Sequence, residues 1–357
     1  MIPLVVDLET EWRGGQSQAF LLLKGLYERG HAAELIAPQG SALSQRAAAE
    51  GIYVHRVRQR LLRLRAAAMI RRVLSDGRIE LVHVNEPHAL TSAWLAGAHR
   101  KVPLLVSRRV AYRIQGPKRY LAAQRVLAIS RFVKESLVAS GIPEERIGLV
   151  YEGVEVPAPV AADTRASARR RWGVGEQETL LGCVGYLLPE KGQEFLVKAL
   201  PAVVAKHPAT KLILAGDGPC RAELEAYCRA NGLAKKVIFA GFITEIAQVY
   251  AALDIFVFPS IAEPLGTSLL AAMAWGLPVV AVASGGVPEY VESGKTGLLV
   301  ERPEAELISS ALLRILDDAA LRERLGRAAR EEIRGSLSAE TMVENTLAVY
   351  EALAGGR

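Results

Sequence analysis

DIFVFPSIAEPLGTSLLAAMAWGLPVVAVA, residues 254–283, decides the fold class. DIFVFPS (254–260) and LPVVAVA (277–283) are short apolar runs that read as strands. Between them Gly266-Thr267-Ser268 opens a helix, LLAAMAW continues it, and Gly276 supplies a C-terminal cap. Pro278 prevents continuation. The stretch is therefore a strand–loop–helix–strand unit. The free N–H groups at the helix start, with its dipole, form an anion site. Gly266 lets a phosphate approach the backbone closely. One acid, Glu263, stands just before the helix. Its carboxylate would be repelled by a phosphate, so it suits the hydroxyls beside one, as in a sugar. The other reading is a surface loop acid.

The same alternation extends along the chain in both directions. IPLVV (2–6), AAELIA (32–37), IYVHRV (52–57), IELVHV (79–84), PLLVS (103–107), RVLAI (125–129) and RIGLVY (146–151) read as strands, mostly separated by helical patterns. EGVEVPAPVAADTRA (152–166) is rich in Pro and Ala, lacks helical periodicity and reads as a linker. Strands then resume with TLLGCVG (179–185), TKLILAG (210–216), KVIFAG (236–241) and TGLLV (296–300). The pattern predicts an α/β protein of two facing, Rossmann-like, doubly wound parallel sheets. The expected domains are 1–155, 156–330 and a C-terminal helix, 331–357, crossing back to the first domain. From Glu304 to Ala354 the pattern reads as three helices, with breaks near Asp317–Asp318 and Gly335–Ser338. Ligands of such sheets bind beyond the carboxyl ends of the strands, so the loops that follow strands hold the candidate residues.

The chain has 357 residues, half of them hydrophobic and 23% charged, a soluble globular composition. Its Cys183, Cys220 and Cys228 have no metal-ligand spacing and fit a reducing cytosol. The N-terminus lacks a basic region and reads as a first strand, not a signal peptide. No apolar run is long enough to span a bilayer. Net charge is +6, but residues 1–155 carry 23 Lys and Arg against 14 Asp and Glu, while the remainder carries 21 against 24. The basic half would favour an anionic partner; a solvated Arg-rich surface is the alternative.

Four other loops stand out. GYLLPEKGQEF (185–195) places Lys191 at a helix entrance, where it could pair with a diphosphate as a point charge; exposed lysines at such places are also common. AGDGPCRAELE (215–225) contains Gly216, Asp217 and Pro219, a turn that Asp217 can cap. ETEWRGGQSQAF (9–20) offers Gly14-Gly15 as a close-approach loop. VASGGVPEYV (282–291) has Gly285-Gly286 after a strand, with Glu289 in the following helix.

Together and in this order, these loops resemble the family-four retaining glycosyltransferases, which have the GT-B architecture. The resemblance covers nearly the whole chain and is strongest from about Thr179 to Val300. It implies transfer of a sugar from a nucleotide-sugar to an acceptor with retention of anomeric configuration, and no required metal or other cofactor. It places the Gly-Gly loop on Gly14 and Gly15, near donor phosphate and acceptor, and the phosphate lysine on Lys191. The Gly-Asp-Gly-Pro turn becomes Gly216 to Pro219, and the first glutamate of a Glu-x7-Glu signature becomes Glu263, on the donor sugar. Leu265, Gly266 and Thr267 would hold the diphosphate, and Phe242 and Ile243 would border the base. Three positions depart from the pattern. Ala271 replaces the ribose-gripping second glutamate, Tyr186 replaces the arginine beside Lys191, and Arg108-Arg109 replaces a histidine. Arg109 is a candidate source of compensating positive charge.

HRVRQRLLRLRAAAMIRRVL (55–74) carries seven arginines and an apolar stripe of Leu61, Leu62, Leu64, Met69, Ile70, Val73 and Leu74. It could lie on an anionic membrane surface or pack against the sheet. A lipid-linked or lipopolysaccharide-type acceptor, at the cytoplasmic face of the membrane and in cell-envelope polysaccharide synthesis, is the favoured expectation. The alternatives are a non-catalytic sugar-nucleotide-binding protein, favoured by Ala271 and Tyr186, and a nucleotide-sugar epimerase. No aromatic-interleaved basic motif points to nucleic acid.

Overall fold

Strands that are apolar on both faces need cover on both sides, and helices between successive parallel strands provide it. The computed structural model describes residues 1–355 and builds two such units. The first comprises Met1–Gly153 together with the chain from Ser338 on; the second is Val154–Leu337. The boundaries expected at 155/156 and 330/331 thus fall at 153/154 and 337/338. Residues 331–337 stay with the second unit because their helix continues from within it.

In the first unit, strands β1 (Pro3–Val6), β2 (Glu34–Pro38), β3 (Tyr53–Val57), β4 (Leu81–Val84), β5 (Leu104–Arg108), β6 (Arg125–Ala128) and β7 (Ile147–Leu149) form one parallel sheet. Its order is β3-β2-β1-β4-β5-β6-β7. The helices between them are α1 (Gly14–Glu28), α2 (Ala42–Ala49), α3 (Leu62–Ser75), α4 (Pro87–Ala96), α5 (Lys118–Leu121) and α6 (Arg131–Ala139). In the second unit, β8 (Thr179–Val184), β9 (Thr210–Ala215), β10 (Val237–Gly241), β11 (Ile255–Phe258), β12 (Val279–Val282) and β13 (Leu298–Val300) are ordered β10-β9-β8-β11-β12-β13, again all parallel. Its helices are α7 (Ala162–Arg171), α8 (Gln193–Lys206), α9 (Arg221–Ala230), α10 (Ala247–Ala252), α11 (Thr267–Ala274), α12 (Ala305–Asp317) and α13 (Ala319–Ser336). The last helix, α14 (Ala339–Ala354), packs on α1 in the first unit. There the Tyr350 hydroxyl lies 2.6 Å from His83 Nδ1, and Ser107 Oγ lies 2.8 Å from the other ring nitrogen. Burial pushes the pKa of His83 down to about 3, so the ring is neutral in this contact.

Strand order reverses between β1 and β4 in one sheet and between β8 and β11 in the other. Crevices for ligands open at such switch points. The loops after β1 and β4, and those after β8 and β11, are therefore the ones the topology places at a site.

Helix α3 corrects one expectation. It starts at Leu62, and its inward face is Ala66, Ala67, Ile70, Val73 and Leu74, packed against α4 and the sheet. Leu61 and Leu64 do not join that face; they are 63% and 60% exposed. Leu61 alone among the described non-glycine residues has a positive φ, 56°. No helix of the described residues is long and apolar enough to cross a membrane.

Candidate functional site

In the second unit, the loop after β8 and the loop after β11 meet. A Cβ on Gly192 would stand 2.1 Å from the Pro259 carbonyl oxygen, so only glycine admits this approach. The Glu190 carbonyl accepts from Ile261 N at 2.9 Å and lies 3.2 Å from Ser260 Oγ. Lys191 Nζ thereby reaches Glu263 Oε2 at 2.6 Å, across 72 positions of sequence. The same carboxylate oxygen lies 3.1 Å from Ser260 Oγ. The Glu263 carbonyl accepts from Gly286 N at 3.0 Å, and Ser284 Oγ donates to the Ser260 carbonyl at 2.6 Å. Those bonds tie in the loop after β12.

Gly266, the N-cap of α11, has φ 96°, a conformation open to glycine. A side chain there would also meet the Phe258 ring and the Tyr290 hydroxyl at 3.0–3.2 Å. That hydroxyl donates to the Leu265 carbonyl, pinning the turn. Burial, and then the charge of Glu263, hold the Tyr290 phenol far above its ordinary pKa, so it stays a donor. Lys191 and Glu263 thus form a partly buried ion pair at the loop that leads into α11.

The remaining expected residues of this unit have definite places. A Cβ on Gly216 would stand 1.9 Å from the Gly185 carbonyl oxygen, so the turns after β8 and β9 touch through bare backbone. Asp217 caps Gly218 N at 2.8 Å and pairs with Arg221 at 3.2 Å, the arrangement of a structural turn. Tyr186 is half exposed, and its carbonyl accepts from buried Gln193 Nε2 at 3.0 Å. Phe242 is exposed and Ile243 half-buried beyond β10. Thr267 and Ala271 are half-buried on α11, where Ala271 presents no polar group.

The first unit has its own cluster. Asp7, buried at the end of β1, accepts from Gln16 Nε2, Asn85 Nδ2 and Glu9 N at 3.1–3.3 Å. Burial raises its pKa against these bonds. Arg109 donates to Glu152 Oε1 at 2.7 Å and to the Asn85 carbonyl at 2.7 Å. Its Cδ lies 3.5 Å from the place of a Cβ on Gly15. The expectation that Arg109 supplies charge to a phosphate therefore meets a guanidinium already engaged within its own unit. Gly14 and Gly15 open α1, whose third residue, Gln16, is held by Asp7. Glu86 caps α4 and accepts from Leu8, His88 and Ala89 N–H groups. Burial, helped by the charge of Asp7, pushes its pKa up to about 7. Glu9, Glu86 and His88 bring ligand atoms within 4.8 Å of one another, with Glu86 committed to its cap.

Sequence reasoning passed over Ser260, Ser284, Tyr290, Asp7, Asn85 and Glu152. For Asp7 a signal existed: it is the first acid after an apolar strand, at its carboxyl end. For Glu152 none did, because its partner is 43 positions away.

Residues 12–156 match the family model described as Glycosyltransferase Family 4, and residues 164–332 that described as Glycosyl transferases group 1. The chain is 31% identical to an uncharacterized glycosyltransferase of Methanocaldococcus jannaschii, over 64% of this chain and 60% of that protein. It is 33% identical to the GDP-mannose-dependent alpha-(1-6)-phosphatidylinositol monomannoside mannosyltransferase of Mycolicibacterium smegmatis, over 58% of this chain and 57% of that one. The match thus spans less than two thirds of either relative's length. Among solved structures, Anabaena HepE in complex with UDP superposes with a TM-score of 0.87, 22% identity and coverage of 99% and 100% of the two chains. That likeness is one of fold: two Rossmann-like parallel-sheet domains of GT-B type.

Proposed function

We propose, on the premise that the chain belongs to glycosyltransferase family four, that it moves a sugar from a nucleoside-diphosphate sugar to an acceptor with retention of configuration. The observation that carries this reading is the Lys191–Glu263 pair beside the Gly266-opened start of α11. A cation and a helix N-terminus suit the diphosphate, and a carboxylate suits the sugar hydroxyls. Lys191 would stabilise the charge that develops as the sugar–phosphate bond breaks. Glu263 would orient the sugar. The departing phosphate oxygen would take the acceptor's proton on the same face, so the reaction needs no enzyme nucleophile and no metal. The residues Tyr186, Leu265, Thr267 and Ala271 belong to the donor site in this reading, and Phe242 and Ile243 to the base. Gly216 and Asp217 shape it as a turn.

The named mannosyltransferase relative supports a sugar nucleotide such as GDP-mannose as donor. It also supports a lipid-linked acceptor. Exposed Leu61 and Leu64, among Arg58, Arg60, Arg63 and Arg65, would meet the anionic inner face of the cell membrane. Flotation with phosphatidylglycerol vesicles but not with phosphatidylcholine vesicles is the expected result.

Incubation with GDP-mannose or UDP-glucose and a candidate acceptor should release nucleoside diphosphate only when the acceptor is present. NMR of the product should show the donor's anomeric configuration, and EDTA should leave the rate unchanged. Lys191→Ala should lower turnover by about a hundredfold or more. Its thermal midpoint should also fall, because Glu263 loses its partner, so turnover is compared on enzyme shown to be folded. A fully active Lys191→Ala enzyme would remove Lys191 from the mechanism.

A further inference from the structure

Lys191 and Glu263 cannot perform their separate tasks while they hold each other. Their side chains are 27% and 10% exposed, and Nζ and Oε2 are 2.6 Å apart. We infer that Glu263 is a specificity-determining latch on Lys191, which makes the site favour a complete nucleotide-sugar over a bare nucleoside diphosphate. The inference rests on the donor reading above.

A diphosphate arriving alone can recruit Lys191 only by taking it from Glu263. A largely buried carboxylate is then left beside a new anion, with Ser260 Oγ, 3.1 Å away, as its remaining hydrogen-bonding side chain among the described residues. An ion stripped of its partner in such a place is costly, and the like charge adds to the cost. A nucleotide-sugar changes both sides of the exchange. Its phosphates receive Lys191, and its sugar hydroxyls donate to Glu263, so both halves of the opened pair are satisfied again. Tyr186, uncharged, adds no cation of its own to the phosphate side. The same exchange runs backwards after transfer. Once the sugar has left, Glu263 has lost its hydroxyl partners and competes with the product diphosphate for Lys191. The latch thereby favours product release.

Isothermal titration of the full chain with UDP, GDP, UDP-glucose and GDP-mannose tests this. The wild type should bind one sugar nucleotide more tightly than its parent diphosphate. In Glu263→Gln, that diphosphate should bind about tenfold more tightly than in wild type, the scale of one displaced charged contact. The preference for the sugar nucleotide should shrink or invert. Adding Lys191→Met to Glu263→Gln should abolish the gain. Should Glu263→Gln fail to fold, Glu263→Asp, with its carboxylate drawn back from Lys191, should shift the preference in the same direction. Unchanged or weaker diphosphate binding in the folded variant overturns the latch and leaves the donor reading standing. A wild type that binds neither diphosphates nor their sugars overturns the donor reading, and the latch with it.

Discussion

Arg109 donates to Glu152 Oε1 at 2.7 Å, and both side chains are largely buried. This pair joins the loop after β5 to the last residues of the first unit before the chain leaves it. Arg109 also holds Asn85, and Asn85 holds Asp7, which holds Gln16 at the start of α1. The guanidinium is a keystone beneath the Gly14-Gly15 loop.

Glu152→Ala should therefore destabilise the protein by about 3 kcal/mol, because it strands a mostly buried arginine. Arg109→Met combined with Glu152→Ala should recover part of that loss. Denaturant titration of the two single variants and the double variant, read as a cycle, measures the coupling. Strict additivity would show that the pair is energetically idle.

Gly266→Ala should cost about 1–3 kcal/mol through its left-handed backbone alone. Contact of the new methyl with Phe258 and Tyr290 adds to this. The thermal midpoint should fall, and donor binding should fall further than stability explains, since the same turn presents the start of α11. An unchanged midpoint would mean that the turn relaxes freely.

Ala271→Glu should tighten binding of the sugar nucleotide by about tenfold, by adding one charged hydrogen bond. The position is half-buried on α11, one turn beyond Thr267, so a longer side chain has room to emerge. Calorimetry with donor reads this directly. No change would show that the ribose is held by another contact.

Glu86 makes stability depend on pH. Its carboxyl is pushed from 4.5 up to about 7 in the folded protein, so the folded chain binds the proton more tightly than the unfolded chain. That contribution is complete below about pH 4.5 and is lost as pH rises through 7. It amounts to about 3 kcal/mol at most. Glu86→Gln keeps an oxygen to cap α4 and removes the titration. The stability difference between wild type and Glu86→Gln should move against the wild type from pH 4.5 to 7. A difference that is flat across that window would assign Glu86 an ordinary acidity.

Helix α3 shows how far pattern reading reaches. Its arginines and apolar residues are periodic, and the helix is there. Of its expected apolar stripe, Ile70, Val73 and Leu74 face inward; that Leu61 and Leu64 do not was not legible. The helix begins only at Leu62, after a left-handed Leu61, so Leu61 stands outside the helical period. Arg109 shows the same limit for the site. A basic residue after a strand was visible, but its commitment to Glu152 was not.

The sequence by itself determined the alternation of strand and helix, the two sheets, the linker region and the loops at the strands' carboxyl ends. Those features rest on local chemistry: apolar runs, glycines at turns and caps within a few residues of the helices they serve. Only the tertiary structure decided that Lys191 meets Glu263 and that Arg109 is spent on Glu152. Such pairings depend on which strands lie side by side. β8 neighbours β11 although two strands separate them in sequence. A cation read from sequence is a free charge until the sheet order supplies its partner, and that partner determines whether it binds a ligand or holds the fold.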